Sequence, residues 1–175
     1  RGAADRSFSA PLPLTFFFPA NLPVRHWVQS QYAHDFLRRN GVAARDIAWM
    51  GDYIDPLFPA HRKDSLARED WVAFNPKKGA AFTLKLIASA PDIQWIKLEH
   101  MTAEDMEDAL ARAKVYIDFG EHPGKDRIPR EAALCGCCIL TSRRGAAGND
   151  VDVPIPACYK IEDREENIPQ ILARI

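Results

Sequence analysis

The chain has 175 residues, 47% of them hydrophobic and 27% charged, with 23 basic against 24 acidic side chains and a formal net charge of −1. That is the composition of a globular protein with one sizeable core, too short for two nucleotide-binding domains of ordinary size. The balanced charge gives no electrostatic footprint for nucleic acid, and the longest apolar run, Leu14 to Ala20, is far short of a membrane span.

Residues 1–23 carry Pro11, Pro13, Pro19 and Pro23 and read as a leading loop or edge segment, because proline cannot donate to a central ladder. No charged n-region with a long apolar h-region opens the chain, so a cytoplasmic protein is expected, with peripheral membrane association left to parts beyond it. Arg25 to Gln29 predicts a strand, Ser30 caps a helix bearing Tyr32, Ala33, Phe36 and Leu37 on one face, and Gly41 ends it. Ile47 to Ile54 predicts the next strand. The charged, Pro- and Ala-containing interval Asp55 to Asp70 reads as a linker.

Beyond it the alternation is cleaner. A strand at Trp71 to Phe74, the turn Asn75 to Gly79, a helix Ala80 to Ala90 and a strand Ile93 to Leu98 form a βαβ unit. Thr102 and Asp105 are spaced as a capping box before a helix whose stripe is Met106, Leu110 and Ala113. A strand Val115 to Phe119, a helix Ile128 to Leu134 with Pro129 in its first turn, and a strand Cys137 to Thr141 follow. Val151 to Pro156 reads as loop, Tyr159 to Ile161 as a short edge strand, and Glu165 to Ile175 as a closing helix. The fold class is therefore α/β: a Rossmann-like parallel sheet with helices on both faces, with 1–70 as a leading segment and 71–175 as the main domain.

Cys135, Cys137, Cys138 and Cys158 lack the paired spacing of a zinc site, so buried reduced thiols are expected and no metal is assigned. In an open α/β sheet, ligands bind where strands lead into helices, which singles out three loops. Asn75-Pro76-Lys77-Lys78-Gly79 combines a helix N-terminus with two ammonium groups and suits a diphosphate, although it lacks the flanking glycine and Ser/Thr of a Walker A motif. A solvated lysine pair is the plainer alternative. In Asp118 to Arg127, Gly120 and Gly124 permit a tight backbone, Lys125 and Arg127 bring positive charge, and His122 stands among acids. Glu131, one turn into the next helix, is placed to accept hydroxyl hydrogen bonds or simply to pair with Arg127 or Arg130. Ser142 to Asp150 reads as a flexible basic loop, able to close over a ligand or merely to cover surface.

Together these loops resemble GT-B glycosyltransferases of the family-1/family-4-like kind, with Lys78-Gly79 in the place of the Lys-Gly that meets the donor diphosphate. Glu131-Ala132-Ala133-Leu134-Cys135-Gly136 resembles the E-A-x-x-x-G helix whose glutamate touches ribose or sugar. A closer likeness is to a group of glycosyltransferase-like proteins bearing N-P-K-K-G, Y-I-D-F-G-x-H-P-G-K-D-R-x-P-R-E-A and D-V-P-I-P, all present between Val24 and Ile161. One departure is Pro123, eight positions before Glu131, where the family's first glutamate stands; Glu121 is the available substitute.

The resemblance implies the donor-binding half of a GT-B enzyme that transfers a sugar from a nucleoside diphosphate to a hydroxyl of a glycan or other acceptor, with retention, in polysaccharide or glycoconjugate synthesis. It implies catalytic roles for Lys78, Arg127 and Glu131. Donor contacts fall on Lys77, Lys78, Gly79, Met101, Gly120, His122, Gly124, Lys125, Arg127 and Glu131, with no cofactor beyond the nucleotide sugar and a separate domain or chain for the acceptor. Two alternatives remain open from the residues: a non-catalytic nucleotide-sugar-binding module or subunit of a split enzyme, and a receiver-like signalling domain, which the isolated Asp118 disfavours.

Overall fold

The structure is a computed structural model that describes residues 23–51, 53–54 and 67–175. The proline-rich start, the apolar run Leu14 to Ala20 and most of the expected linker lie outside the described residues. A four-stranded parallel sheet in the order β4-β3-β5-β6 forms the centre. Its strands are β3 (Glu69–Phe74), β4 (Gln94–Lys97), β5 (Ala113–Asp118) and β6 (Cys138–Thr141). They alternate with helices α2 (Ala80–Ser89), α3 (Ala103–Arg112) and α4 (Arg127–Leu134), and α5 (Ile168–Leu172) closes the chain.

Side-chain alternation along the strands builds two cores. Val72, Phe74, Val115, Ile117 and Leu140 face α2 and α5, where Phe82, Leu86 and Ile171 complete one cluster. Ala73, Tyr116 and Ile139 face the other way, against Ala109 and Leu110 of α3 and Ala132 and Cys135 of α4. Helices thus cover both faces, as the near-continuous apolar character of β3 and β5 requires of a parallel sheet.

Ahead of this unit, β1 (His26–Val28), α1 (Gln31–Arg39) and β2 (Ile47–Trp49) form a smaller parallel pair. Ser30 caps α1 as expected, accepting from Ala33 N at 3.0 Å. Asp152, in the stretch expected to be plain loop, adds a second cap from 120 residues away, accepting from Gln31 N at 2.7 Å and Tyr32 N at 2.9 Å. The aspartate of the D-V-P-I-P signature is therefore a clamp between the leading unit and the main sheet.

Several expected elements are shorter. β2 stops at Trp49, Tyr159 to Ile161 reduces to a 3₁₀ turn at Ala157–Tyr159 with a single bridge from Thr141 to Lys160, and the closing helix splits into a 3₁₀ turn at Glu165–Asn167 followed by α5. Pro169 explains the split, since it lacks the N–H that a continuous helix needs there. The thiols also divide. Cys135 and Cys137 are buried, Cys138 is half-buried and Cys158 is exposed, so the expectation of buried thiols fails for the last. Cys137 lies 3.1 Å from Leu110 O and 3.3 Å from Ala113 O, and burial pushes its thiol up to about 11. Among the described residues, no helix is long and apolar enough to cross a membrane.

Candidate functional site

The strand order places a topological switch between β3 and β5. From β3 the chain moves outward through α2 to β4, then returns through α3 to the opposite side of β3, and continues outward to β6. The loops after β3 and β5 consequently diverge onto opposite faces and leave a crevice at the carboxyl ends of the strands. Residues 75–79 and 119–126 are those loops.

They meet in a seam. Gly79 sits at φ +56°, and a Cβ there would lie 2.5 Å from both the carbonyl carbon and the oxygen of Phe119; on the other side, a Cβ on Gly120 would lie 2.6 Å from Lys78 Cβ. Only glycine allows two backbones this close with one of them left-handed. The seam is braced from behind by the stretch expected to be a flexible basic loop. Ser142 and Ala147 are fully buried, and Gly145–Gly148 forms a tight 3₁₀ turn. Ala146 N donates to His122 O at 2.7 Å, and a Cβ on Gly145, at φ +57°, would stand 2.1 Å from that same oxygen. The segment is packed scaffold because its small residues let it nest under the 119–126 loop.

On the α4 side of the seam lies a network of ionisable groups. Lys78 Nζ is 2.5 Å from Asp126 Oδ2, and His122 Nδ1 is 2.7 Å from the same oxygen. His122 Nε2 faces Asp118 Oδ1 at 3.5 Å, and Asp118 also accepts from Gly120 N at 3.1 Å and lies 3.3 Å from the Tyr116 hydroxyl. Burial alone would lower the affinity of His122 for its proton, but its hydrogen bond to Asp126 and the charge of Asp118 outweigh that and raise its pKa. For Asp126, burial pushes the pKa up, and the bonds from His122 and Lys78 prevail and hold it low. The Tyr116 hydroxyl is pushed well up by burial and by Asp118.

Donor atoms of Asp118, His122 and Asp126 lie within 4.8 Å of one another, the spacing of a candidate metal centre. Here the Lys78 ammonium stands on Asp126 and the two ring nitrogens of His122 face different carboxylates, so the group is tied together as a chain of ion pairs. One turn along α4, Arg127 Nε meets Glu131 Oε1 at 2.8 Å; the glutamate is buried beneath the exposed guanidinium.

Other expected contacts fall elsewhere. Lys77 is exposed, its N–H held by Asn75 Oδ1 at 3.0 Å. Met101 packs on the edge of the α3/α4 core, at the end of the loop after β4. Gly124 and Lys125 lean toward the α1 junction: the Cβ position of Gly124 is 3.9 Å from both Gln29 Oε1 and Ser30 Oγ, and Lys125 Nζ is 3.8 Å from Asp152 Oδ1. Lys125 is thus directed to the clamp and not to Lys78. Glu121 does not replace the missing glutamate beside Glu131; it pairs with Arg144 at 2.8 Å.

That pair belongs to an open cleft of about 570 Å³ on the α2/α5 side, where Lys85, Arg144, Glu121, Asp163 and Glu165 meet. Its cations are matched already: Arg144 by Glu121 and Asp163, Lys85 by Glu165.

Side-chain capping is uneven among the described helices, and α5 lacks it as well as two helices at the crevice. α1 and α3 begin with side-chain caps from Ser30 and Thr102, the latter a complete capping box with Asp105. α2 and α4, which open at the crevice, have none. Aspartate is a favoured N-cap, yet Asp126, at that position of α4, spends its carboxylate on Lys78 and His122.

The chain matches no family model and no curated protein. Among solved structures it is similar to the catalytic domain of starch synthase IV from Arabidopsis thaliana, determined with ADP and acarbose, at 13% identity and TM-score 0.55, over 87% of this chain and 48% of that one. It also matches HepE (Alr3699) of Anabaena, determined with UDP and glucose, at 14% identity and TM-score 0.49, over 70% of this chain and 45% of that one. The chain spans a little under half the length of either. The first likeness establishes the fold: a Rossmann-like α/β unit of the kind that forms one half of a GT-B glycosyltransferase.

Proposed function

We propose that this chain binds the donor of a glycosyltransferase, a nucleoside diphosphate sugar, at the switch-point crevice, and contributes that half of a sugar transfer to an acceptor hydroxyl. The observation that carries the proposal is the convergence at one sheet edge of Lys78, the Arg127–Glu131 pair and two helix N-termini without side-chain caps. Uncapped N-termini attract anions through their first-turn N–H groups and aligned peptide dipoles. A diphosphate there gains charge as the glycosidic bond breaks, and the fixed positive ends oppose no reorganisation at that moment.

In this reading Lys78 and Arg127 stabilise the leaving diphosphate, while Glu131, released from Arg127 by the phosphates, accepts hydrogen bonds from ribose or sugar hydroxyls. Met101 borders the nucleotide base, and Gly79 and Gly120 let the backbone approach the phosphates. Lys77 adds long-range attraction. Transfer with retention, in polysaccharide or glycoconjugate synthesis, extends the proposal to the whole enzyme, whose acceptor site is contributed by another domain or chain.

The test is calorimetric titration of UDP, GDP, ADP and their sugar conjugates into the folded chain, repeated with Lys78→Ala and Glu131→Ala. Saturable binding of one nucleoside diphosphate that Lys78→Ala abolishes supports the assignment and narrows the sugar to that nucleotide's conjugates. Binding unaffected by either substitution would place the ligand elsewhere and sink it.

A further inference from the structure

One of the two carboxylate oxygens of Asp126 has two cationic suitors. Oδ2 lies 2.5 Å from Lys78 Nζ and 2.7 Å from His122 Nδ1. The two suitors differ in reach. The His122 side chain is 1% exposed and enclosed, so it touches no ligand in the crevice, whereas the Lys78 side chain is 27% exposed and opens onto it. Asp126 also forgoes the N-cap of its own helix to keep both contacts. These groups face one another across three elements: Tyr116 and Asp118 from β5, Asp126 and Glu131 at α4, and Lys78 from the β3–α2 loop. From the 3₁₀ turn behind them, the backbone N–H of Ala146 donates to the His122 carbonyl oxygen.

We propose that His122 is a positioning residue that acts through Asp126 to decide whether the charge of Lys78 is available to an anionic ligand. With His122 protonated, the set of Lys78, His122, Asp126 and Asp118 is neutral, Asp126 is compensated from within, and the ammonium can turn to a phosphate. With His122 neutral, the set carries one net negative charge, Lys78 is the sole cationic partner of Asp126, and an arriving phosphate meets both a tethered ammonium and an uncompensated carboxylate. Anion affinity therefore falls as His122 loses its proton. By reciprocity, a bound anion makes His122 hold that proton more tightly. Asp126 and Asp118 outweigh burial and raise the pKa of His122, so the change falls above the ordinary histidine value.

The inference rests on the donor-site reading, and one experiment separates them. Inorganic pyrophosphate is titrated calorimetrically into the full chain from about pH 5.5 to about pH 8.5, with wild type, His122→Gln, Asp126→Asn and Lys78→Ala compared. All four proteins meet the same ionisation of the ligand, so ratios between them isolate the protein's part. Wild type is expected to bind about five- to tenfold more tightly than His122→Gln at the acid end, the two converging at the alkaline end. Asp126→Asn, which frees Lys78 outright, is expected to bind at least as well as wild type at the alkaline end. The ring signals of His122 in a ¹H–¹³C spectrum should titrate at higher pH with pyrophosphate bound. Should His122→Gln not fold, Asp126→Asn and the ring titration carry the test. Parallel affinity curves for wild type and His122→Gln, or a His122 titration unmoved by the ligand, overturn the inference while a loss in Lys78→Ala keeps the donor site. A folded wild type that binds pyrophosphate at no pH removes both.

Discussion

The two sides of the Gly79–Gly120 seam hold their cations in different ways. On the α2/α5 side, Lys85 and Arg144 line an open cleft, and each is held by one or two acids across its mouth. On the α4 side, Lys78 shares Asp126 with a buried histidine while Arg127 lies exposed over Glu131. A cavity is where atoms are missing, whereas an anion site needs cations that can turn to the ligand. On the proposed reading the α4 side is the anion site, with Lys78 and Arg127 as the cations that turn to the ligand.

That contrast can be broken most severely at its hinge. Gly145→Ala is expected to destabilise the chain by about 3 kcal/mol or more, from the left-handed backbone and from the clash with His122 O. Urea unfolding measures it, and a loss under about 1 kcal/mol would mean that the turn behind the seam yields easily. Next comes the direct comparison of sides. Lys78→Ala should weaken nucleoside diphosphate binding by about 1.5–3 kcal/mol, roughly ten- to hundredfold in Kd, while Arg144→Ala changes it less than about twofold. The reverse order in calorimetry would move the ligand into the larger cleft.

Asp152→Ala should cost ~1–2 kcal/mol, the worth of a helix cap, with amide exchange quickening first at Gln31 and Tyr32. Quickened exchange in the 119–126 loop as well would show that the clamp also steadies the crevice through Lys125. The smallest effect is on pH dependence of stability. The folded-state pKa of His122 lies above its unfolded value, so its protonated form favours the folded chain. Its contribution is complete below the ordinary histidine pKa and is lost as pH rises through the folded value. The stability gap between wild type and His122→Gln, from denaturant titrations at several pH values, should narrow in that direction. Asp126 acts oppositely: its pKa is held down, so its contribution is present above the ordinary aspartate value and fades as pH falls through the folded one.

Much of the architecture was legible in the chain because local chemistry and tertiary demand agree there. Thr102 and Asp105 form their capping box wherever a helix follows, and the buried strands β3 and β5 announce themselves as apolar runs between turn signals. Agreement ended where a residue's role depends on a distant partner. Asp152 reads as loop until α1 comes to lie on it, and the Gly145–Gly148 segment reads as flexible until its small residues are seen to fit beneath His122. Cys158 read as a buried thiol and is exposed, since nothing in its own neighbourhood determines which side of the chain faces water.

The sequence by itself determined the α/β alternation, the loop that carries Lys78 and its lack of a Walker A pattern, and the helix start that carries Arg127 and Glu131. These follow from periodicity, glycine placement and charge within a few residues of one another. Only the tertiary structure decided the order β4-β3-β5-β6, and with it the switch point that brings residues 75–79 against residues 119–126. It also decided that Lys125 turns to Asp152, that Glu121 turns to Arg144, and that Lys78 and His122 converge on one oxygen of Asp126. Those outcomes depend on distances of a few ångströms between segments well separated along the chain, 23 residues apart for Glu121 and Arg144 and further for the others, which loop closure sets and local propensity does not.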